Sequence, residues 1–260
     1  MKNVLLVLLL VAGQGLLAAQ ASANPFSRGV DPQEVVDRAK ATLEGMAGHP
    51  DYAALLPELE QARGVLIFPR VVRGGFVFGG AGGLGVFLAW DEARGDYSPV
   101  AFYSLGAISF GMQFGGEAAE VVMVARTQDA VDSLFGSAFR LGGDASVAAG
   151  PVGAGRSATA NADFVSFARS RGAFLGMSLE GSRLTVRDDF NEAYYGESRR
   201  PVHIIESRRV DHAGTRALRE SLAGYRRADD AAVAPTDQPL DEVAPGEGGL
   251  QMEEFQVESF

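Results

Sequence analysis

The 260-residue sequence contains no cysteine, which excludes disulfide staples, thiolate nucleophiles and cysteine-based metal sites. It also excludes a lipid-modified N-terminal cysteine, so any membrane contact must come from the folded surface. Histidine is almost as scarce. His49, His203 and His212 are the three; none stands at an i, i+4 spacing or beside a carboxylate pair, so surface or turn roles are expected rather than a metal centre. No P-loop lysine follows a glycine run, and no G-x-S-x-G elbow presents a serine nucleophile. Asp163, Asp188 and Asp189 are scattered without an evident partner. The chain reads as not an enzyme, and no cofactor is expected.

Long apolar runs are missing too, with one short exception. Val4 to Leu17 is apolar but broken by Gly13, Gln14 and Gly15, and it falls short of the roughly 20 residues that span a bilayer. Lys2 precedes it and Ala21-Ser22-Ala23 follows, the pattern of a secretory signal peptide cut before Asn24. Residues 1–23 are therefore expected to be removed, and the mature protein to be periplasmic or secreted.

Positive charge is absent from the last stretch. Residues 229–260 hold nine acidic side chains and no basic one, whereas residues 24–228 carry 22 basic and 24 acidic side chains, a nearly balanced body. With Pro235, Pro239 and Pro245, the end reads as an acidic disordered tail. Before it, residues 199–228 form an arginine-rich helical extension that holds Arg199, Arg200, Arg208, Arg209, Arg216, Arg219, Arg226 and Arg227. Interspersed acids such as Glu206, Asp211 and Glu220 point to a salt-bridged face there.

Between the ends lies one domain. Asp31 before Pro32 marks a helix start, and Val35, Val36, Ala39, Leu43 and Met46 recur at helical spacing. A second helical stretch, broken by Pro57, is expected over 52–62. From Gly64 to about 187 short apolar runs alternate with turn signals, as in a mostly antiparallel sheet. Strands are expected at 65–68, 74–79, 84–90, 98–104, 107–114, 118–125, 145–152, 156–168, 172–179 and 183–187. A short helix capped by Thr127 interrupts them, and a last helix is expected over 214–225.

GGFVFGGAGGLGVFLAW, residues 74–90, contains seven glycines, three of them on the G-x-G-x-x-G spacing. A dinucleotide loop needs a helix after its last glycine. Here Val86-Phe87-Leu88-Ala89-Trp90 follows, which is strand material, so packing is the better reading: glycine opposite a bulky group leaves room for a ring or a second backbone.

Several segments then fall into a known order. They are GVLIFP (64–69), the glycine-rich strand, Tyr97-Ser98-Pro99, FGMQFGGEAAEVVMV (110–124), LGGDASVAAGPVG (141–153), SRGAFLGMSLEGSRL (170–184) and NEAYYG (191–196). Over residues 31–198 the chain resembles the SYLF domain, a lipid-binding domain also described as actin-binding in fungal proteins. The resemblance implies an α+β module, residues 24–198, with N-terminal amphipathic helices, a few short flanking helices, and a strongly curved, glycine-rich, mostly antiparallel sheet of barrel or sandwich type. Tyr97 stands where the family usually has tryptophan, and Val165-Ser166-Phe167-Ala168 replaces its Tyr-Ser-Tyr-Ser.

What the resemblance implies for function is association with anionic phospholipid through basic residues, without catalysis. On the N-terminal helix these reduce to Arg38 and Lys40, and Arg63, Arg70 and Arg73 flank the first strand. The alternative is an envelope interaction protein with a protein partner; neither nucleic acid nor, for an exported bacterial protein, actin is expected. Asp144 and Ser146, with Gly150, Pro151 and Gly153, form the most specific motif, and the two polar residues read either as binding groups or as turn caps.

Overall fold

Asp31 caps the first helix as its place before Pro32 requires. Its carboxylate accepts the Gln33 N–H at 2.9 Å, and α1 spans Pro32–Ala47 with Val35, Val36, Ala39, Leu43 and Met46 on its buried face. The computed structural model describes residues 29–75, 78–110, 115–151, 161–170 and 179–232. After a 3-10 turn, the expected second helix shortens to α2 (Leu55–Glu60), because Pro50 and Pro57 both confine helical hydrogen bonding.

The described strands are β1 (Gly64–Gly75), β2 (Phe78–Asp91), β3 (Asp96–Tyr97), β4 (Ala101–Phe110), β5 (Gly115–Ala125), β6 (Ala138–Arg140), β7 (Val147–Ala149), β8 (Phe164–Ser170) and β9 (Arg183–Val186). They form one curled sheet, a half-barrel, in the order β6-β9-β4-β2-β1-β5-β8-β7, with β3 added to β2. Every strand pairing in it is antiparallel except β7 with β8. The α+β class and the curved, mostly antiparallel sheet are as the sequence leads one to expect.

At the centre of the sheet the described strands are longer than the apolar runs suggest. Runs expected as separate strands at 65–68, 74–79 and 84–90 belong to just two, β1 and β2. The apparent break in β1 is Pro69, which lacks an N–H for the ladder. A bulge absorbs it: the register slips between Ile67 and Arg70 against β2, and between Phe68 and Val71 against β5. Likewise the runs at 98–104 and 107–114 merge into β4, whose Gly106 pairs in register with Gly82. Most of the strands expected at 156–168 and 172–179 lies outside the described residues or shifts to β8. The segment expected to be a signal peptide, Gly153 and the tail beyond 232 lie outside them as well.

Helix α3 (Gln128–Ser133) is capped by Thr127, whose hydroxyl accepts the Ala130 N–H at 3.1 Å. Two short helices, α4 (Asp188–Tyr195) and α5 (Pro201–Ile205), are among the few short flanking helices expected, though the sequence pattern does not mark their bounds; α6 (Arg216–Ala232) closes the described chain. Among the described residues no helix is long and apolar enough to cross a membrane.

A layer of side chains covers each face of the sheet. On one face α1, α2, α4 and α6 bury Val65, Ile67, Val86, Leu88, Phe102, Val124 and Phe167. On the other, α3 and α5 cover Leu66, Phe68, Phe87, Tyr103, Met123 and Phe164. That is why Val65-Leu66-Ile67-Phe68 is continuously apolar: all four are fully buried, alternately into the two layers. Each such side chain contributes roughly 1.5–3 kcal/mol.

The NEAYYG segment ties α4 to this framework. Asn191 is fully buried, and its Oδ1 accepts the Phe102 N–H at 2.9 Å where β4 begins. The Tyr195 hydroxyl donates to the Val100 carbonyl at 2.6 Å, and Gly196 ends the helix in the left-handed conformation at φ 73°. Tyr97, where the resemblance would place tryptophan, is wholly buried edge-on against Trp90.

Candidate binding cleft

Two of the glycines of 74–90, Gly83 and Gly85, are explained by the Pro69 bulge. A Cβ on Gly83 would lie 2.4 Å from the Arg70 carbonyl oxygen, and one on Gly85 would lie 2.4 Å from that of Ile67 and 2.5 Å from the Phe68 ring. Both distances are impossible, so the bulged backbone of β1 needs glycine beside it on β2. The glycine spacing therefore serves close approach within the sheet. Side by side with the glycines, the bulge turns Arg70 outward beneath the start of α1.

Two clefts open there, and Arg38, Pro69 and Arg70 form the wall between them. One, of about 350 Å³, runs between α1 and the bulge, with Val30, Val35, Val72 and Leu84 as aliphatic lining and Gly82 and Gly83 as bare backbone. The other, of about 400 Å³, lies toward β5 and β8 and is the more polar of the two, with Glu120 and Arg169 opposite Arg70. Glu120 and Arg169 face each other across the β5–β8 ladder, and Arg169 Nε donates to Glu120 at 2.5 Å. Arg169 Nη1 also reaches the Gly45 carbonyl at 3.0 Å, fastening β8 to α1.

The arginines differ in how far they are already neutralised. Arg38 pairs with Glu34 one helical turn earlier, at 2.5 Å, both side chains about half exposed. Arg70 is exposed and has no ion pair among the described residues. Of the two arginines shared by the clefts, it is the one with more capacity left for an anion.

Of the five basic residues singled out in the sequence, this brings together Arg38 and Arg70. Lys40 lies at the seam between α1 and α6, where it donates to Glu44, and this hydrogen bond holds the Glu44 carboxyl below the usual carboxylate range. Arg63, at the far end of β1, pairs with Glu92. Arg73 shares the face of Val71 rather than that of Arg70, and its Nε is buried without a hydrogen bond. Arg169, Glu34 and the cleft aliphatics were not singled out as binding residues; the only hint was a charged residue at the end of each of two apolar runs, Glu120 and Arg169.

Three arginines of the arginine-rich end, Arg208, Arg219 and Arg226, are committed to the fold. Arg208 pairs with Asp96 at 2.6 Å, Arg219 with the same carboxylate at 2.7 Å and with the Tyr97 carbonyl at 2.7 Å, and Arg226 with the Ala62 carbonyl at 2.6 Å. Arg226 also stacks 4.2 Å over the Trp90 ring. These contacts clamp α6 onto the turn between β2 and β3, as the salt-bridged reading of that segment leads one to expect.

Asp144 and Ser146 hold turns. Asp144 Oδ2 accepts the Arg140 N–H at 2.6 Å, and Ser146 donates from its amide and hydroxyl to Asp163 Oδ2 at 2.9 and 2.7 Å. Gly150 lies under the Phe167 ring, 2.4 Å from where a Cβ would be, and Pro151 beside it is half-buried. His49 and His212 each accept a backbone N–H two residues on, through Nδ1. Among the described residues no cluster of histidine and carboxylates could hold a metal ion.

Comparison with known proteins bears on this geometry. Residues 106–225 match the family model Ysc84, described as Las17-binding protein actin regulator. The chain is 35% identical over 158 residues to LAS seventeen-binding protein 3 of Saccharomyces cerevisiae, covering 58% of this chain and 34% of that protein. To protein YSC84 of the same yeast it is 34% identical, over 58% of this chain and 33% of the relative. To the SH3 domain-containing YSC84-like protein 1 of Pongo abelii it is 28% identical over 223 residues, 75% of this chain and 65% of that one. The chain thus spans about a third of the length of the two yeast proteins. No solved structure matches it.

Proposed function

Because residues 106–225 carry the Ysc84 domain, the family that the sequence motifs resemble under the name SYLF, we propose that the protein is a non-enzymatic binding module whose ligand is anionic membrane lipid. The relatives are named for binding and regulation rather than for a reaction. The observation that carries the lipid reading is the exposed Arg70, without an ion pair among the described residues, beside Arg38 at the mouth of an aliphatic cleft. A guanidinium pair at the edge of apolar surface suits a phosphate headgroup at a bilayer interface, where each nearby cation contributes about 1 kcal/mol.

Cosedimentation of the mature chain with phosphatidylglycerol vesicles tests this. Binding that weakens as salt rises, and that falls when Arg70 is replaced by glutamine, supports it; salt-insensitive binding or none overturns it. Export belongs to the same reading, on the strength of Lys2, the broken apolar run and Ala21-Ser22-Ala23. The N-terminal sequence of the protein recovered from the extracellular or periplasmic fraction, starting at Asn24, would support it.

A second reading is a protein partner, favoured by the Las17-binding names of the yeast relatives. It predicts a stoichiometric partner in a pull-down and no vesicle binding. Fractionation also separates the two readings, since an exported protein would not meet a cytoskeletal partner.

A further inference from the structure

The two clefts at the bulge are unlike each other, and they share a wall. One is lined by Val30, Val35, Val72 and Leu84 over the bare backbone of Gly82 and Gly83. Its neighbour presents Arg169 and Glu120. Arg38 and Arg70 stand between the two. A ligand that satisfies both is half apolar and half anionic, with the change of character at the arginines. We infer that the clefts together form a site for one monomeric, single-chain anionic amphiphile, its chain between α1 and the bulge and its head on Arg70 and Arg38. This rests on the lipid reading above and narrows it from a surface to a pocket.

Size and chemistry limit the ligand. The aliphatic cleft, at about 350 Å³, is at the small end of ligand sites, room for one chain and not for two. A diacyl lipid would have to leave its second chain outside. A buried methylene raises affinity about fourfold, so affinity should climb with chain length until the cleft is full. The head has a cation to meet without breaking a bond, because Arg70 has no ion pair among the described residues, while Arg38 can turn to it from Glu34. Arg169 is held by Glu120 and the Gly45 carbonyl and forms the fixed far side of the head pocket.

The test uses alkyl phosphates below their micelle concentrations, followed by calorimetry on the full chain. Dodecyl phosphate is expected to bind one to one, hexyl phosphate more weakly, and inorganic phosphate at the same concentration not to compete. Val72→Phe should fill the cleft and lower dodecyl phosphate affinity about tenfold; Arg70→Gln should lower it as well and should also weaken phosphatidylglycerol vesicle binding. Val30→Phe fills the same cleft from outside the sheet, in case the strand variant does not fold. Affinity independent of chain length, or unchanged in both folded filling variants, overturns the inference. If vesicles bind and dodecyl phosphate does not, the pocket falls and the surface reading stands; if neither binds, both fall.

Discussion

The two halves of β1 have the same backbone pairing and opposite surroundings. Val65 to Phe68 lie between two layers of helices and are wholly buried. Past Pro69, Arg70 and Val72 face open clefts, and the neighbouring strand turns from Val86-Phe87-Leu88 to Gly82 and Gly83. The first half excludes water on both faces, and its side chains supply most of the burial. The second half has little side-chain volume to bury and leaves a guanidinium without an ion pair among the described residues. Stability and binding are thus assigned to different ends of one strand, divided by a bulge.

The sharpest way to break this comparison is to damage the dry half. Phe87→Ala removes a fully buried ring and should cost about 3–5 kcal/mol in denaturant unfolding, while the folded fraction binds anionic vesicles as before. A loss of affinity at unchanged stability would contradict the division.

Alkaline titration comes next in size. Burial pushes the Tyr97 phenol up to about 12, so its neutral form is favoured by folding. That contribution, roughly 2–3 kcal/mol, is complete below the ordinary tyrosine value near 10 and is lost as pH rises through 12. Burial raises Tyr103 and Tyr195 as well. Stability followed by circular dichroism should therefore be level from pH 7 to 9 and fall steeply above 10; a decline that begins near pH 8 would count against it.

Glycine substitution then probes the bulge itself. Gly83→Ala drives a Cβ to 2.4 Å from the Arg70 carbonyl and should destabilise by about 1–3 kcal/mol, shifting Arg70 with it. At Gly80 the nearest atom is 3.6 Å away, and alanine there should change stability by less than about 1 kcal/mol. Equal effects at the two positions would mean that the bulge is not what selects glycine.

The smallest effect is at the rim. Glu34→Gln removes the exposed partner of Arg38, worth about 0.3–0.5 kcal/mol of helix stability. Freed of it, Arg38 should tighten anionic vesicle binding at low salt; weaker binding would show that Glu34 helps rather than competes.

Much of this was legible in the sequence, and the exceptions share a cause. Local signals survived: Asp31 before Pro32, the Thr127 cap, the continuous VLIF run and the rejection of a nucleotide loop by the strand that follows Gly85. Features that depend on remote partners did not. Pro69 looked like a strand end because its bulge exists only against β2 and β5 together. Arg169 meets Glu120 only through the β5–β8 pairing, and Arg208 and Arg219 are absorbed by Asp96, more than a hundred positions upstream. Five basic residues that looked equivalent along the chain were thereby sorted by the fold, with Arg38 and Arg70 set at the cleft.

The most direct measurement of the central claim is the salt dependence of phosphatidylglycerol vesicle binding by the wild-type chain and by Arg70→Gln, with the unfolding free energy of each determined alongside. The expected result is a several-fold loss of affinity and a shallower salt slope in the variant, at a stability within about 0.5 kcal/mol of wild type. Identical affinity and slope in two equally stable proteins would contradict the assignment of binding to the open half of β1.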